Sequence, residues 1–289
     1  MNNLLDWALA PLAYPFMIRG LLAAITVGVV CASVGTYVVL RGMAFFGDAL
    51  AHAILPGLAA GYLIGGGTQA PLFWWGMLTA VFTSIGIGAL SKGRQIKEDT
   101  AIGVFFAGMF ALGIALISTV RSYTVDLTHF LFGNVLGVSP GDLWLTAIFG
   151  GLVILGILAF YKEFLVISFD PVLASTLRLP AGLLHYLLLV LIALAVVVSL
   201  QTVGVALMVA MLVTPAATAF LVTRRLPFMM LTGAAVGAVS AISGLYLSYY
   251  VNVASGAAIV LVCTALFILA FLAAPSRGAL WAYARRRRA

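Results

Sequence analysis

The segment Arg41–Gly65, RGMAFFGDALAHAILPGLAAGYLIG, sets a carboxylate, Asp48, and an imidazole, His52, four residues apart in a run otherwise apolar enough to lie in lipid. Its length suits a helix crossing a hydrocarbon core about 30 Å thick. Runs of the same character recur along the whole chain. Of its 289 residues 64% are apolar and 8% charged, against roughly 25% charged in an average soluble domain. A soluble fold of this size has too little interior to hide that surface. A transmembrane β-barrel would need alternating segments of about ten residues, whereas these runs are continuous and rich in Leu, Ala, Val and Gly. The fold class is therefore an all-α polytopic membrane protein.

Charges and Pro/Gly punctuation divide the chain into about nine spans: 16–40, 43–65, 71–91, 99–120, 141–161, 181–200, 203–223, 227–250 and 256–274. One of them is open to being broken or re-entrant, which would leave eight complete crossings. Residues 1–15 form an N-terminal segment without the pattern of a removable signal peptide. Residues 16–274 form the membrane domain, and residues 275–289 a basic tail. Basic residues favour the cytoplasmic side. With the N-terminus outside and the C-terminus cytoplasmic, thirteen of the fifteen Lys and Arg residues fall inside, leaving Arg19 and Arg121 outside. Trp74, Trp75, Tyr249 and Tyr250 then mark the outer interface, and Trp281 and Tyr283 the inner one.

The net charge of +7 and the run Arg285–Arg288 read as contacts with anionic headgroups of the lipid bilayer, with no nucleic acid as partner. Cys31 and Cys263 both fall in apolar runs and read as buried thiols. In VSPGD, Ser139 and Asp142 predict a helix cap with Pro140 in the first turn. In KEDTAIG, Glu98, Asp99 and Thr100 supply charge and capping oxygens to a helix start. Gly57, Gly61 and Gly65, and likewise Gly233 and Gly237, recur at the spacing that lets membrane helices approach closely.

Seven of the eight acidic residues, Asp6, Glu98, Asp99, Asp126, Asp142, Glu163 and Asp170, lie in loops or at span ends. Only Asp48 is drawn into a span, where an ionised side chain costs at least about 2.5–3.5 kcal/mol and calls for a partner or a task. His52 shares its helix face. Two readings stand at this point: a pair that satisfies itself, or two ligands for Zn²⁺, Mn²⁺ or Fe²⁺. His129, in an outer loop, and His185, near a span start, are not read as site residues.

Six stretches in order, spanning about residues 15–274, resemble the membrane permease subunits of metal-ion (zinc/manganese/iron) ABC importers. They are 38–65, KEDTAIGVFFAGMFALGIALIS (97–118), LFGNVLGVSPGDLW (131–144), SFDPVLASTLRLP (168–180), VGVALMVAMLVTPAATAFL (203–221) and GLYLSYYVNVASGAAIVLV (244–262). The resemblance implies a homodimer in a bacterial plasma membrane, served by cytoplasmic ATPase subunits and an extracytoplasmic metal-binding protein. It implies that Asp48 and His52 match the family's intramembrane metal-site residues and that Zn²⁺ or Mn²⁺, with Fe²⁺ as a further cargo, passes them by alternating access. It also makes residues near 169–179, with Asp170, Pro171, Ala174 and Leu177, the helix that couples to the ATPase. From the residues alone, Asp170 can cap such a helix.

No intrinsic cofactor is expected. The chain holds no G-x-x-x-x-G-K-[ST] and no H-E-x-x-H, so it reads as a transporter subunit, with ATP used by its partner, rather than as an enzyme. The metal shell is open between two copies of Asp48 and His52 meeting at a dimer axis and one site per protomer completed by water or backbone oxygen. The alternatives are a permease for chelated iron or another small cargo, and an ion-coupled secondary metal transporter.

Overall fold

The computed structural model describes residues 9–65, 69–92, 96–119 and 135–274. Among these, nine helical segments are long and apolar enough to cross a membrane: Pro15–Leu40, Phe46–Gly65, Ala70–Ser91, Glu98–Ser118, Pro140–Ala159, Ala181–Val203, Val205–Val222, Leu226–Val251 and Ser255–Ala273. All lie within about three residues of the expected spans, because charges and prolines mark where a helix leaves lipid. The helices are α1 (Pro15–Leu40), α2 (Phe46–Ala53), α3 (Leu55–Gly65), α4 (Gln69–Ser91), α5 (Glu98–Ser118), α6 (Pro140–Ala159), α7 (Tyr161–Phe169), α8 (Pro171–Thr176), α9 (Ala181–Val203), α10 (Val205–Val222), α11 (Leu226–Val251) and α12 (Ser255–Ala273).

The second span is thus two helices. Proline has no N–H, so Pro56 cannot donate to the carbonyl of His52 one turn earlier. The helix closes at Ile54, whose own N–H turns back to Leu50. The break falls immediately after the Asp48/His52 turn.

The chain divides into two units. One comprises residues 1–36, 131–148 and 202–289. In it α10, α11 and α12 pack against one another. Gly28 of α1 meets Gly237 of α11 backbone to backbone, so closely that a Cβ on Gly237 would lie 2.8 Å from the Gly28 carbonyl oxygen. Thr146 and Thr202 bridge their helices through a buried 2.6 Å hydroxyl pair. Gly204, with φ of +82°, supplies the left-handed residue that ends α9 and starts α10.

The other unit comprises residues 37–130 and 149–201. Here α3 lies along α4, and α2 and α3 both pack on α5. Small residues set the approach: a Cβ on Gly57 would collide with the Trp75 carbonyl, and one on Gly61 would stand 2.9 Å from the Pro71 carbonyl. Tyr37, fully buried, packs edge-on to Phe164 with ring centroids 5.8 Å apart.

Large apolar side chains on α5, α6 and α12 remain exposed, among them Leu112, Trp144, Leu155, Leu261 and Leu269. For helices in a bilayer that is ordinary, since lipid tails are as apolar as leucine. Cys31 and Cys263 are buried free thiols. Asp6, Arg121, Asp126, His129 and the tail with Trp281, Tyr283 and Arg285–Arg288 lie outside the described residues.

Candidate functional site

Asp48 sits in the first turn of α2 and His52 in its last. The helix places them on one face, but His52 Nε2 lies 3.8 Å from Asp48 Oδ1, beyond hydrogen-bond length. As oriented, the pair does not satisfy itself. A cation bonded to both at about 2.1 Å in tetrahedral geometry would hold them about 3.4 Å apart, so closing by a few tenths of an ångström brings both onto one ion. The side chains are 38% and 30% exposed respectively, which leaves their donor atoms open to a further ligand.

The His52 ring is set by aromatic neighbours. Phe106 and Phe110 of α5 meet it edge-on with centroids 6.1 and 5.7 Å away, and they stack on each other at 5.7 Å. Phe45 closes on Phe106 from the turn before α2. The α5 spacing of four residues presents both rings to the imidazole on one face. Among the described residues no cluster of three or more His, Cys, Asp or Glu exists. Among the described residues, a four-ligand shell here therefore needs water, backbone oxygen or another chain.

A second polar constellation was not expected. Arg41 Nη2 is 2.8 Å from Glu98 Oε1 and 2.8 Å from His185 Nδ1, and His185 Nε2 is 3.4 Å from the same Glu98 oxygen. Glu98 had been expected to serve the start of α5 as a capping charge. The helix begins at that residue, but no side chain caps it, and its carboxylate turns to Arg41 instead. Arg41 reaches it because VVLRGM closes α1 with a paired turn: Met43 N–H donates to the Val38 carbonyl and Gly42 N–H to that of Val39. Gly42 takes the left-handed conformation, φ +71°, that this motif requires. Burial lowers the Arg41 pKa from its ordinary value while the Glu98 carboxylate raises it. No periodicity links residues 57 and 144 positions apart, so sequence reading had only one signal, the isolated basic residue at the end of α1.

The segment near 169–179 is a capped helix. Asp170 Oδ1 accepts from the N–H groups of Val172 at 2.9 Å and Leu173 at 3.0 Å, and Pro171 is its first residue. Ala174 is fully buried, whereas Leu177 is 55% exposed and Phe169 and Val172 project similarly. Ser139 and Asp142 form the expected reciprocal cap of α6: Asp142 N–H donates to Ser139 Oγ at 3.1 Å and Ser139 N–H to Asp142 Oδ2 at 3.2 Å. That cap also disposes of the hydrolase-like pattern GVSPG (137–141). Its serine oxygen is committed to a helix start rather than raised on a strand-to-helix elbow.

A multi-pass helical membrane protein with a polar pair beside a broken span has the architecture of a membrane transport protein. The comparisons give the family: the ABC 3 transport family model matches residues 13–274, and the chain belongs to that family. It is 48% identical over its full length to the manganese transport system membrane protein MntC of Halalkalibacterium halodurans, covering 98% of that protein. It is 39% identical to the chelated iron transport system membrane protein YfeD of Yersinia pestis, over 94% of this chain and 90% of that one. Among solved structures, PsaBC from Streptococcus pneumoniae in complex with Fab superposes with a TM-score of 0.82 at 38% identity, covering 98% of this chain and 99% of that chain.

Proposed function

We propose that this chain is the membrane-spanning permease subunit of an ATP-driven importer of divalent transition-metal ions, with manganese as the favoured cargo. Zinc and ferrous iron share the same donor chemistry. The observation that carries the reading is the unclosed Asp48–His52 pair, a carboxylate and an imidazole beside the break at Ile54. The name of the full-length relative MntC supports manganese. The name of YfeD keeps a chelated-iron permease as the second reading, but a chelate brings its own ligands and has no need of this pair.

In this reading the N-terminus is outside, and thirteen of fifteen basic residues are cytoplasmic. An extracytoplasmic binding protein delivers the ion. Asp48 and His52 take it up, sharing it with water, backbone oxygen or the same pair of a second copy. Two ATPase subunits push on α8, whose Asp170 cap makes it rigid and whose Ala174 anchors it, and on Leu177, which is exposed directly after it. The spans then tilt and the ion leaves inward. Residues 1–15 stay extracytoplasmic, 16–274 form the permease domain, and 275–289 lie on the inner leaflet.

The test is cellular manganese, zinc and iron by elemental analysis in cells expressing the chain with its partner subunits, wild type against Asp48→Asn at equal membrane expression. Manganese should rise in wild type and return to background in the variant. Accumulation unchanged by the substitution refutes the role given to Asp48.

A further inference from the structure

We propose that Glu98 and His185 form a second metal-binding pair on the transport path, held closed by Arg41, whose guanidinium acts as a tethered cation that an arriving divalent ion displaces. The proposal rests on the reading of Asp48 and His52 given above and extends the path beyond them.

The geometry is that of a cation site with a cation already in it. Arg41 Nη2 stands 2.8 Å from Glu98 Oε1 and 2.8 Å from His185 Nδ1. A guanidinium only donates, so Nδ1 must accept, and the imidazole is neutral with its proton on Nε2, facing Glu98 Oε1 at 3.4 Å. A carboxylate oxygen and an imidazole lone pair therefore converge on one nitrogen of a cationic group. Exchanging that nitrogen for a divalent ion at about 2.1 Å asks each donor to move inward by about 0.7 Å. The donor chemistry repeats that of Asp48 and His52.

Two further observations favour a displaceable plug over a fixed ion pair. Arginine suits a carboxylate best through both fork nitrogens. Here one nitrogen makes both contacts, and Arg41 Nη1 is buried without a partner among the described residues. The Glu98 and His185 side chains are also 21% and 18% exposed, so the cluster is not sealed. Its place fits a path. Glu98 precedes Phe106, which touches His52, by eight residues, about 12 Å of helix. That displacement runs toward the end of α5 that begins beside Lys97. An empty carboxylate–imidazole pair there would hold a passing ion; a tethered cation returns to evict it.

The experiment uses full-length permease and Mn²⁺ alone. Binding is measured by the loss of the free-ion electron paramagnetic resonance signal, and coordinated imidazole by ¹⁴N modulation of the bound ion. In an Asp48→Asn/His52→Gln background only the second pair can report. Adding Arg41→Gln should tighten Mn²⁺ binding at least tenfold, to one ion per chain with ¹⁴N modulation. Adding His185→Ala to that variant should abolish the modulation. Arg41→Lys, which keeps the charge, should give an intermediate affinity and decides the matter if the glutamine variant fails to fold. A folded Arg41 variant that binds Mn²⁺ no more tightly than the background, or binds it without His185-dependent modulation, overturns the proposal and leaves a structural triad. The first pair is read separately: Mn²⁺ bound by wild type and lost on Asp48→Asn upholds that reading even when the second pair fails.

Discussion

The contact between α3 and α4 holds the span that bears Asp48 and His52, and three glycines near it grade how much that contact can give. A methyl group at Gly76 would meet only Leu58 Cδ2, the far end of a flexible side chain, at 3.4 Å. At Gly61 it would stand 2.9 Å from the Pro71 carbonyl oxygen and 3.0 Å from Leu72 Cα, so backbone must yield by a few tenths of an ångström. At Gly57 it would overlap the Trp75 carbonyl, and the Thr79 side chain beside it, far more severely. Thr79 can rotate away, but the carbonyl belongs to a helix, and α3 must move off α4 by about an ångström. Overpacking of this kind costs about 1–3 kcal/mol. Gly76→Ala should therefore be neutral within about 0.5 kcal/mol, Gly61→Ala should cost about 1 kcal/mol, and Gly57→Ala about 2–3 kcal/mol. At roughly 2–4 °C per kcal/mol for a chain of this order, the last should melt about 5–10 °C below wild type. The assay is the thermal midpoint of detergent-solubilised protein by fluorescence-detected size exclusion, with metal uptake measured alongside. Because Gly57 follows Pro56 directly, uptake should fall with the midpoint. A Gly57→Ala protein as stable as Gly76→Ala would refute the argument that backbone contact sets this helix pair.

Two further outcomes are expected. Leu177→Asp puts a charge on the exposed position directly after α8, so the midpoint should stay within about 0.5 kcal/mol of wild type, while ATPase co-purification and uptake fall at least tenfold; retained uptake removes this segment from the coupling role. Ser139→Ala leaves the Asp142 N–H without its 3.1 Å acceptor and should cost about 1 kcal/mol, read as a lower midpoint with uptake intact.

Much of this fold is written at one level of the chain, the length and spacing of apolar runs. Lipid permits little besides helices, so once a run is long enough its conformation follows, and Lys92, Lys97 and Pro140 mark ends that the structure reproduces closely. The span expected at 43–65 runs through Pro56 without a stated break, and the interruption at Ile54 appears only in the structure, where the missing N–H of Pro56 accounts for it. Ser139 with Asp142, and Asp170 with its two N–H partners, were legible because a cap is a local contract between residues two or three apart. Glu98 stands in the first turn of α5 as expected, but its partners were not legible, for the opposite reason. Beside Asp99 at a helix start it has the local signature of a capping charge, and only the tertiary approach of α1, α5 and α9 brings Arg41 and His185 to it. Asp48 and His52 could be placed on one helix face because four-residue spacing is local too. The Phe106 and Phe110 rings that orient the imidazole lie more than fifty residues on, and were not legible.

If Asp48 and His52 hold the ion as proposed, the sparseness of the pair is itself an argument for passage over storage. An ion that must leave at about 10 s⁻¹, an ordinary turnover, and that associates no faster than the diffusional ceiling of about 10⁹ M⁻¹s⁻¹ requires a dissociation constant no tighter than about 10 nM in the releasing state. A full set of four protein ligands on one chain would bind far more tightly. Two donors 3.8 Å apart, with the remaining positions left to partners that the transport cycle can withdraw, keep the site on the weak side of that limit. On the proposed reading, the interruption after His52 serves the same end. With Pro56 unable to bond back to the His52 carbonyl, the span lacks one helical hydrogen bond at that point, and on the proposed reading a bend at Ile54 changes the setting of the imidazole at low cost. On the proposed reading, loss of affinity on opening is thus a movement between two helices that the sequence has already divided, rather than a cost charged against an intact one.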